Sequence, residues 1–396
     1  MKNFFIKIIA IVISVFIATF SAGCSDKNAE GVGTSSISSE PESSEQASSV
    51  PSKEPESSEQ ASSVPSKEPE SSASEEPESS EVVSSEETDD NVEPKYTRGK
   101  LPLITPDGDD LAYHPSVVRF DKEWNGYKYW MAFTPYPNSD ATKENPVVNV
   151  SNDMKSWEIP SGLTNPIDKP DPSDKKHYFS DVNLIYNPAE TRLELFWRYV
   201  CDDPGVPGNI TIFKSVSYDG VHWTEREKFL YLDNRNKHDW MSPAIILENG
   251  IYRMWYVDVD YKVYYAEITD GVLGGATCLD IAYDQPMNSW HLDVLYNKEK
   301  NLYEMVLCSF KPNNSRRTMS LYYSCSSDNS NWSKAVRILR PSADVNGWDS
   351  QGLYKASLLY NDGCYYMFYS AHGPERVNLG VGLMYGPDIY NLKSYI

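Results

Sequence analysis

The chain has 396 residues with 57 acidic against 36 basic side chains, a formal net charge of −21. With no basic stripe and no nucleic-acid motif, nothing in the sequence points to a nucleic-acid partner. The six cysteines are scattered, with no CxxC pair and no metal-ligand spacing, so they define no cysteine metal or redox site.

Residues 1–24 read as a targeting segment. Lys2 and Lys7 form a basic start, Ile8 to Phe20 is apolar, and Ser21-Ala22-Gly23-Cys24 is a small-residue cleavage site. This end resembles a bacterial lipobox, with Ser21 where an aliphatic residue is usual. It implies lipidation of Cys24 and an extracellular, membrane-anchored protein of a Gram-positive-type bacterium. An ordinary secretory signal and an uncleaved anchor are the alternatives. No later run is long and apolar enough to span a membrane.

Residues 25–94 read as a disordered stalk. EPESSEQASSVPSK occurs at 40–53 and again at 54–67, and Ser, Glu and Pro without aromatics cannot bury enough apolar surface to offset ordering entropy. The segment holds 19 acidic and 3 basic side chains, a net of −16, which leaves only −7 on residues 95–396. The low isoelectric point is therefore a property of the stalk.

From residue 95 to 396 one pattern recurs five times: an apolar strand (a), a polar turn, a second strand (b) rich in aromatics, and a polar exit. The copies begin at His114, Asp181, Ser242, His291 and Lys355, spaced by 67, 61, 49 and 64 residues. Self-similarity at such a period marks a repeat architecture. Asn125-Gly126, Asn249-Gly250 and Asp362-Gly363 are hairpin signals between a and b. Asn152-Asp153, Asp219-Gly220, Asp270-Gly271 and Asp328-Asn329 mark turns between a third and a fourth strand. Trp157, Trp223 and Trp332 follow at matched offsets and read as packing between blades. The predicted fold is all-β, a single five-bladed β-propeller of four-stranded units and a monomer. A Cys308–Cys325 bridge is compatible with neighbouring strands.

In a propeller the a strands line the channel, so their first residues converge on one mouth: His114, Asp181, Ser242, His291 and Lys355. Strand alternation adds Ser116, Asn183 and Asp293, and the b-strand exits add Tyr136, Arg198, Asp258, Asp260 and His372. An aromatic precedes each a strand: Tyr113, Phe179, Trp240, Trp290 and Tyr354. Phe179 reads as packing between blades. A mouth that interleaves aromatic faces with Asp, Asn, Arg and His suits a carbohydrate, whose flat C–H faces stack and whose hydroxyls hydrogen-bond. The alternative is that these residues are polar because the channel holds water.

HPSVV with YKYWMAFTPYP, SDVNLIYN, and YKASLLYNDGCYYMFYSAHG resemble the five-bladed propeller glycosidase superfamily of arabinanases, β-xylosidases, levansucrases and invertases. The resemblance spans nearly all of 100–396. It implies an Asp before Pro in blade one, a second Asp in blade two and a Glu before Pro in blade three. Asp181 holds the blade-two place, whereas blade one has His114-Pro115 and blade three has Ser242-Pro243 without the Glu. Two readings follow. In one, a glycoside hydrolase has moved its acid–base pair to Asp181, Asp293 and Asp258, with His114 or His291 as general acid. Two carboxyl groups would then face each other about 6.5–9.5 Å apart for inversion or about 5–5.5 Å for retention. In the other, a non-catalytic propeller binds sugar through Tyr113, Asn183, Arg198, Trp240, Trp290, Tyr354, Lys355 and His372. No nucleotide or redox cofactor is implied, because no Gly-rich phosphate loop joins a strand to a helix. A calcium ion near His114 or His291 is compatible with the ring, but no ligand cluster in the sequence demands a metal.

Overall fold

The computed structural model describes residues 98–171, 177–201, 209–233, 238–374 and 378–396. The expected signal peptide, the Cys24 lipidation site and the acidic stalk lie outside the described residues.

Five antiparallel sheets follow one another along the chain. Blade one is β1 (Ala112–Trp124), β2 (Tyr127–Pro135) and β3 (Val147–Ser151). Its fourth position is held by a single bridge from Val150 to Glu158, one strand short of the expected four. Blade two is β4 (His177–Asn187), β5 (Arg192–Cys201), β6 (Ile210–Ser217) and β7 (Glu227–Leu232). Blade three is β8 (Met241–Glu248), β9 (Ile251–Val257) and β10 (Val263–Thr269), with the short β11 (Val272–Leu273) and β12 (Thr277–Cys278) both on its outer edge. Blade four is β13 (Asn288–Asn297), β14 (Leu302–Phe310), β15 (Ser320–Ser326) and β16 (Val336–Leu339). Blade five is β17 (Gly352–Asn361), β18 (Cys364–His372), β19 (Leu379–Gly386) and β20 (Lys393–Ser394).

The first strands touch in the cyclic order β1, β4, β8, β13, β17 and back to β1, which is the closed ring the repeats predict. Five apolar cores fill the five gaps between successive blades. The Trp side chains of the repeat pack there: Trp157 meets Phe368 of blade five edge-on with centroids 6.0 Å apart. The preceding aspartates tie the turns down, Asp219 Oδ1 accepting from the Val221 and His222 amides at 2.8 and 2.7 Å. Closure uses the residues just ahead of blade one: the Leu101 amide donates to Val381 O at 2.8 Å, and buried Arg98 pairs with Asp349 at 2.9 Å. The predicted Asn-Gly and Asp-Gly hairpins take left-handed backbone at both central residues, for example Asn249 at φ 52° and Gly250 at φ 81°.

Glutamates latch one blade to the next near the hairpin tips. Tyr252 donates to Glu194 at 2.5 Å, Tyr303 to Glu248 at 2.7 Å, and Tyr365 to the fully buried Glu304. Among the described residues all cysteines are free. Cys325 lies opposite Glu304 and Cys308 opposite Leu321, so the two sulfurs are out of register for the bridge.

Every a strand carries one extra residue against its b strand, at the point where the ring residues sit. Tyr113 pairs with Thr134 but Ser116 with Ala132, and the same slip recurs in β4, β8, β13 and β17. Such a bulge re-aims a side chain. His114, Asp181 and Ser242 take left-handed backbone there, at φ 51°, 50° and 50°. That conformation is unfavourable for residues with a Cβ and is held by the surrounding sheet.

Candidate functional site

At the end of the channel where the a strands start lies a pocket of about 390 Å³ lined by His114, Asp181, Arg198, Asp239, Glu144 and His291, with Tyr113, Tyr136, Trp290, Tyr354 and Arg316 among its walls. Its floor is made by the three bulge-region residues of blades one, two and four. Asp181 Oδ1 lies 3.7 Å from His114 Nε2 and 3.1 Å from His291 Nδ1. All three residues are more than nine-tenths buried.

Burial drives the electrostatics. It pushes the His114 pKa down to about 3 and that of His291 down as well, although Asp181 opposes both shifts. Burial thus disfavours the protonated form of both imidazoles. Burial works against ionisation of Asp181, yet His291, His114 and Arg198 hold its carboxyl well below the usual carboxylate range. Arg198 reaches Asp181 Oδ2 at 3.8 Å and pairs closely with Asp239. His114 Nδ1 is 2.9 Å from the Thr134 hydroxyl and 3.6 Å from Glu144 Oε2. With Nδ1 donating to Thr134, the Nε2 lone pair points toward Asp181.

This arrangement has the chemistry of a metal centre. One donor atom from each of His114, Asp181 and His291 falls within 4.8 Å of the other two. Asp181 Oδ1 and both ring nitrogens of His291 are buried, and beyond the 3.1 Å contact between Asp181 Oδ1 and His291 Nδ1 they have no hydrogen-bond partner. Buried polar atoms left this way are costly unless something else engages them. Two neutral imidazoles and one carboxylate suit Zn, Mn, Fe or Co better than calcium, which takes six to eight oxygens. No such demand was visible in the sequence.

The structure gathers His114, Asp181, His291, Arg198, Tyr113, Tyr136, Trp290 and Tyr354 around one pocket and disperses the other expected residues. Asp293 and Asn183 line a separate cavity of about 1050 Å³ with Ser116. A strand advances about 3.3 Å per residue, so two steps beyond the ring carry a side chain past the pocket floor. Asp293 accepts from the Leu358 amide at 2.9 Å, and Asn183 from the Ile245 amide at 2.8 Å. Lys355 is fully buried, with Nζ donating to Val182 O at 2.6 Å. It is therefore a support beneath the pocket. Ser242 Oγ exchanges hydrogen bonds with the backbone of Leu292. Trp240 packs with Phe196 and Met254 between blades two and three. His372 is buried, with Nδ1 3.1 Å from Gly373 O. Asp258 clamps a turn, accepting from the Asp239 amide at 2.5 Å and lying 2.8 Å from His238 Nδ1. It positions Asp239 and does not line the pocket.

Three charged pocket residues were not foreseen. Glu144 comes from the connection between β2 and β3, where nothing distinguishes it from neighbouring Asp140. Asp239 stands three residues before Ser242, an offset held by Leu111, Tyr178, Asn288 and Gly352 in the other blades. Arg316 lies in the β14–β15 loop, its guanidinium 4.2 Å from the Trp290 ring centroid.

A polar, aromatic-walled pocket at one end of a five-bladed ring defines the class: the chain has the β-propeller fold of the family-43 glycoside hydrolases and their structural relatives. No protein-family model matches the chain. Among curated proteins it is 26% identical over 300 residues to the A type blood N-acetyl-alpha-D-galactosamine deacetylase of Flavonifractor plautii. That match covers 64% of this chain and only 38% of the relative. An uncharacterised Mycobacterium tuberculosis protein is 28% identical over 83 residues, 20% of this chain and 27% of that one. Among solved structures, an N-acetylgalactosamine deacetylase from F. plautii in complex with blood group B trisaccharide superposes with a TM-score of 0.65 at 22% identity, over 76% of this chain and 95% of that chain. A thermostable family-43 glycoside hydrolase superposes at 0.51 with 14% identity, over 76% and 96% of the respective chains. At these identities the two superpositions establish the fold.

Proposed function

We propose that the protein is a metal-dependent carbohydrate deacetylase, which hydrolyses the amide of an acetamido sugar held in the mouth pocket. The observation that carries this reading is the His114–Asp181–His291 cluster, a buried donor set with unengaged atoms. That the F. plautii relative is an N-acetyl-alpha-D-galactosamine deacetylase supports it. When bound, a divalent cation supplies the Lewis acidity that polarises an amide carbonyl and makes water nucleophilic at neutral pH.

The chain's own residues do the rest. Buried Tyr113 stacks on Tyr354 with centroids 4.6 Å apart and on Tyr136 at 5.5 Å, backing these two half-buried rings as a wall for a sugar face. Glu144 lines the pocket, its carboxylate 3.6 Å from His114 Nδ1, and is the group we assign to take the proton of the attacking water. As the C–N bond breaks, that proton passes to the departing nitrogen, leaving acetate and a free amino sugar. Arg198 holds Asp181 and Asp239 in place and keeps Asp181 ionised.

Glycosidic cleavage is the second reading, and the likeness to family-43 enzymes favours it. It needs a protonated carboxyl beside the leaving oxygen. Of the carboxyls expected from the sequence, Asp293, which burial pushes up, faces the other cavity, Asp258 does not line the pocket, and Asp181 is held ionised. Signal peptide, lipid anchor at Cys24, acidic stalk and location on the outer face of a cell membrane complete the proposal, carried by the sequence alone.

The test is to incubate the protein and a divalent metal with oligosaccharides bearing N-acetylhexosamine, assaying free acetate and new reducing ends in parallel. Acetate without new reducing ends is expected. New reducing ends without acetate would replace this reading with the glycosidase.

A further inference from the structure

The β14–β15 loop, Lys-Pro-Asn-Asn-Ser-Arg-Arg-Thr at 311–318, carries three cations and no acid, whereas residues 95–396 together have a net charge of −7. Arg316 is the member that reaches the pocket. Its guanidinium lies 4.2 Å from the centroid of Trp290, whose Nε1 donates to the Tyr354 hydroxyl at 3.0 Å. Tyr354 in turn packs on His291 with centroids 4.2 Å apart. The cation is thus fixed, through two aromatic side chains, to the proposed catalytic floor. Among the described residues no carboxylate lies within ion-pair distance of Arg316, Arg317 or Lys311.

The contrast with Arg198 is informative. Arg198 is buried and pairs with both Asp181 and Asp239. Arg316 is exposed, aimed into the same pocket, and keeps its planar fork of donors uncommitted. Stacking on an aromatic face orders a guanidinium without consuming its in-plane N–H groups. A neutral hydroxyl would use one of them, whereas a carboxylate or phosphate matches the fork as a bidentate partner.

We propose that Arg316 forms a subsite for an anionic group, a carboxylate or a phosphate ester, carried by the sugar next to the acetamido sugar. The inference rests on the pocket being the carbohydrate site and names its substrate class: an anionic acetamido glycan. The net negative charge of the protein repels such a polymer at long range, and the basic loop supplies local attraction at the mouth.

The experiment uses the full chain with metal and three matched disaccharides containing N-acetylhexosamine. In these the second sugar is a uronic acid, a sugar phosphate or the neutral parent. Calorimetric affinity and acetate release are both measured, for wild type, Arg316→Ala and Arg316→Lys. Wild type should favour at least one anionic disaccharide over the neutral one by about tenfold, the value of one charge-assisted contact. Arg316→Ala should bring that ratio close to one and Arg316→Lys should keep part of it. Whichever anionic disaccharide shows the preference identifies its chemical source. If the affinity ratio behaves this way while no acetate appears, the subsite stands and the deacetylase reading falls. If wild type binds neither anionic disaccharide better than the neutral one, or Arg316→Ala leaves the ratio unchanged, the subsite is overturned.

Discussion

His114 and Asp181 occupy the same position in successive blades and share the same left-handed backbone, φ 51° and 50°, with Nε2 of one 3.7 Å from Oδ1 of the other. A bulge in each a strand turns both side chains into the mouth, where regular pleating would pass them to a blade interface. Pro115 fixes the backbone after His114, while Asp is among the few side chains that tolerate positive φ.

Replacement of Asp181 by Asn keeps the shape and the tolerance for positive φ but removes the charged donor. Metal affinity and acetate release should fall by more than the roughly 10–100-fold cost of losing an outer-shell partner. Circular dichroism should show the same fold. A variant retaining wild-type acetate release would remove Asp181 from the site.

The metal-free protein should lose stability as pH falls. His114 titrates near 3 when folded and near 6.5 when unfolded, so between those values the unfolded chain binds the extra proton. Stability that is fully present above pH 6.5 should decline by about 1.4 kcal/mol per pH unit for this one group over most of the window. Denaturant titrations at pH 7 and pH 5 measure it, and His114→Gln should flatten that part of the slope.

Glu304 accepts from Tyr323 at 2.7 Å, from Tyr365, and at its other oxygen from Asn297 at 2.8 Å, with no exposure to solvent. Glu304→Ala leaves three donors without their acceptor and should cost about 3 kcal/mol or more, read from urea unfolding. Glu304→Gln should cost less, since one oxygen remains.

At Gly220 the backbone is left-handed, φ +78°, and an added Cβ would fall 2.0 Å from the Trp130 ring of blade one. Gly220→Ala should therefore lower stability by about 2 kcal/mol or more, combining backbone strain with overpacking. A thermal midpoint equal to wild type would contradict the close interblade contact.

The ring was legible because each blade repeats a local pattern: Asn-Gly or Asp-Gly turns, aromatic b strands, and an aspartate with a following Trp at fixed offsets. The site was legible only where it falls on that repeat. His114, Asp181 and His291 were placed at the mouth as first residues of their strands. Asp293 and Asn183 were placed there by strict alternation, which ignores the bulge and the advance of the strand along the channel. Glu144, Asp239 and Arg316 occupy connections that differ from blade to blade, where no period exists to reveal them. That His114, Asp181 and His291 could share a metal also lies beyond periodicity, since they are 67 and 110 residues apart in sequence and meet only when the ring closes.

The central claim is that His114, Asp181 and His291 hold a divalent metal that the chemistry requires. The direct measurement is calorimetric titration of zinc and manganese into chelator-treated wild type and His291→Ala, with acetate release followed at each metal concentration. The account predicts one site per chain for at least one of these metals, its loss in His291→Ala, and acetate release that rises with occupancy of that site. Acetate release indifferent to chelation, or equal metal binding by His291→Ala, would contradict it.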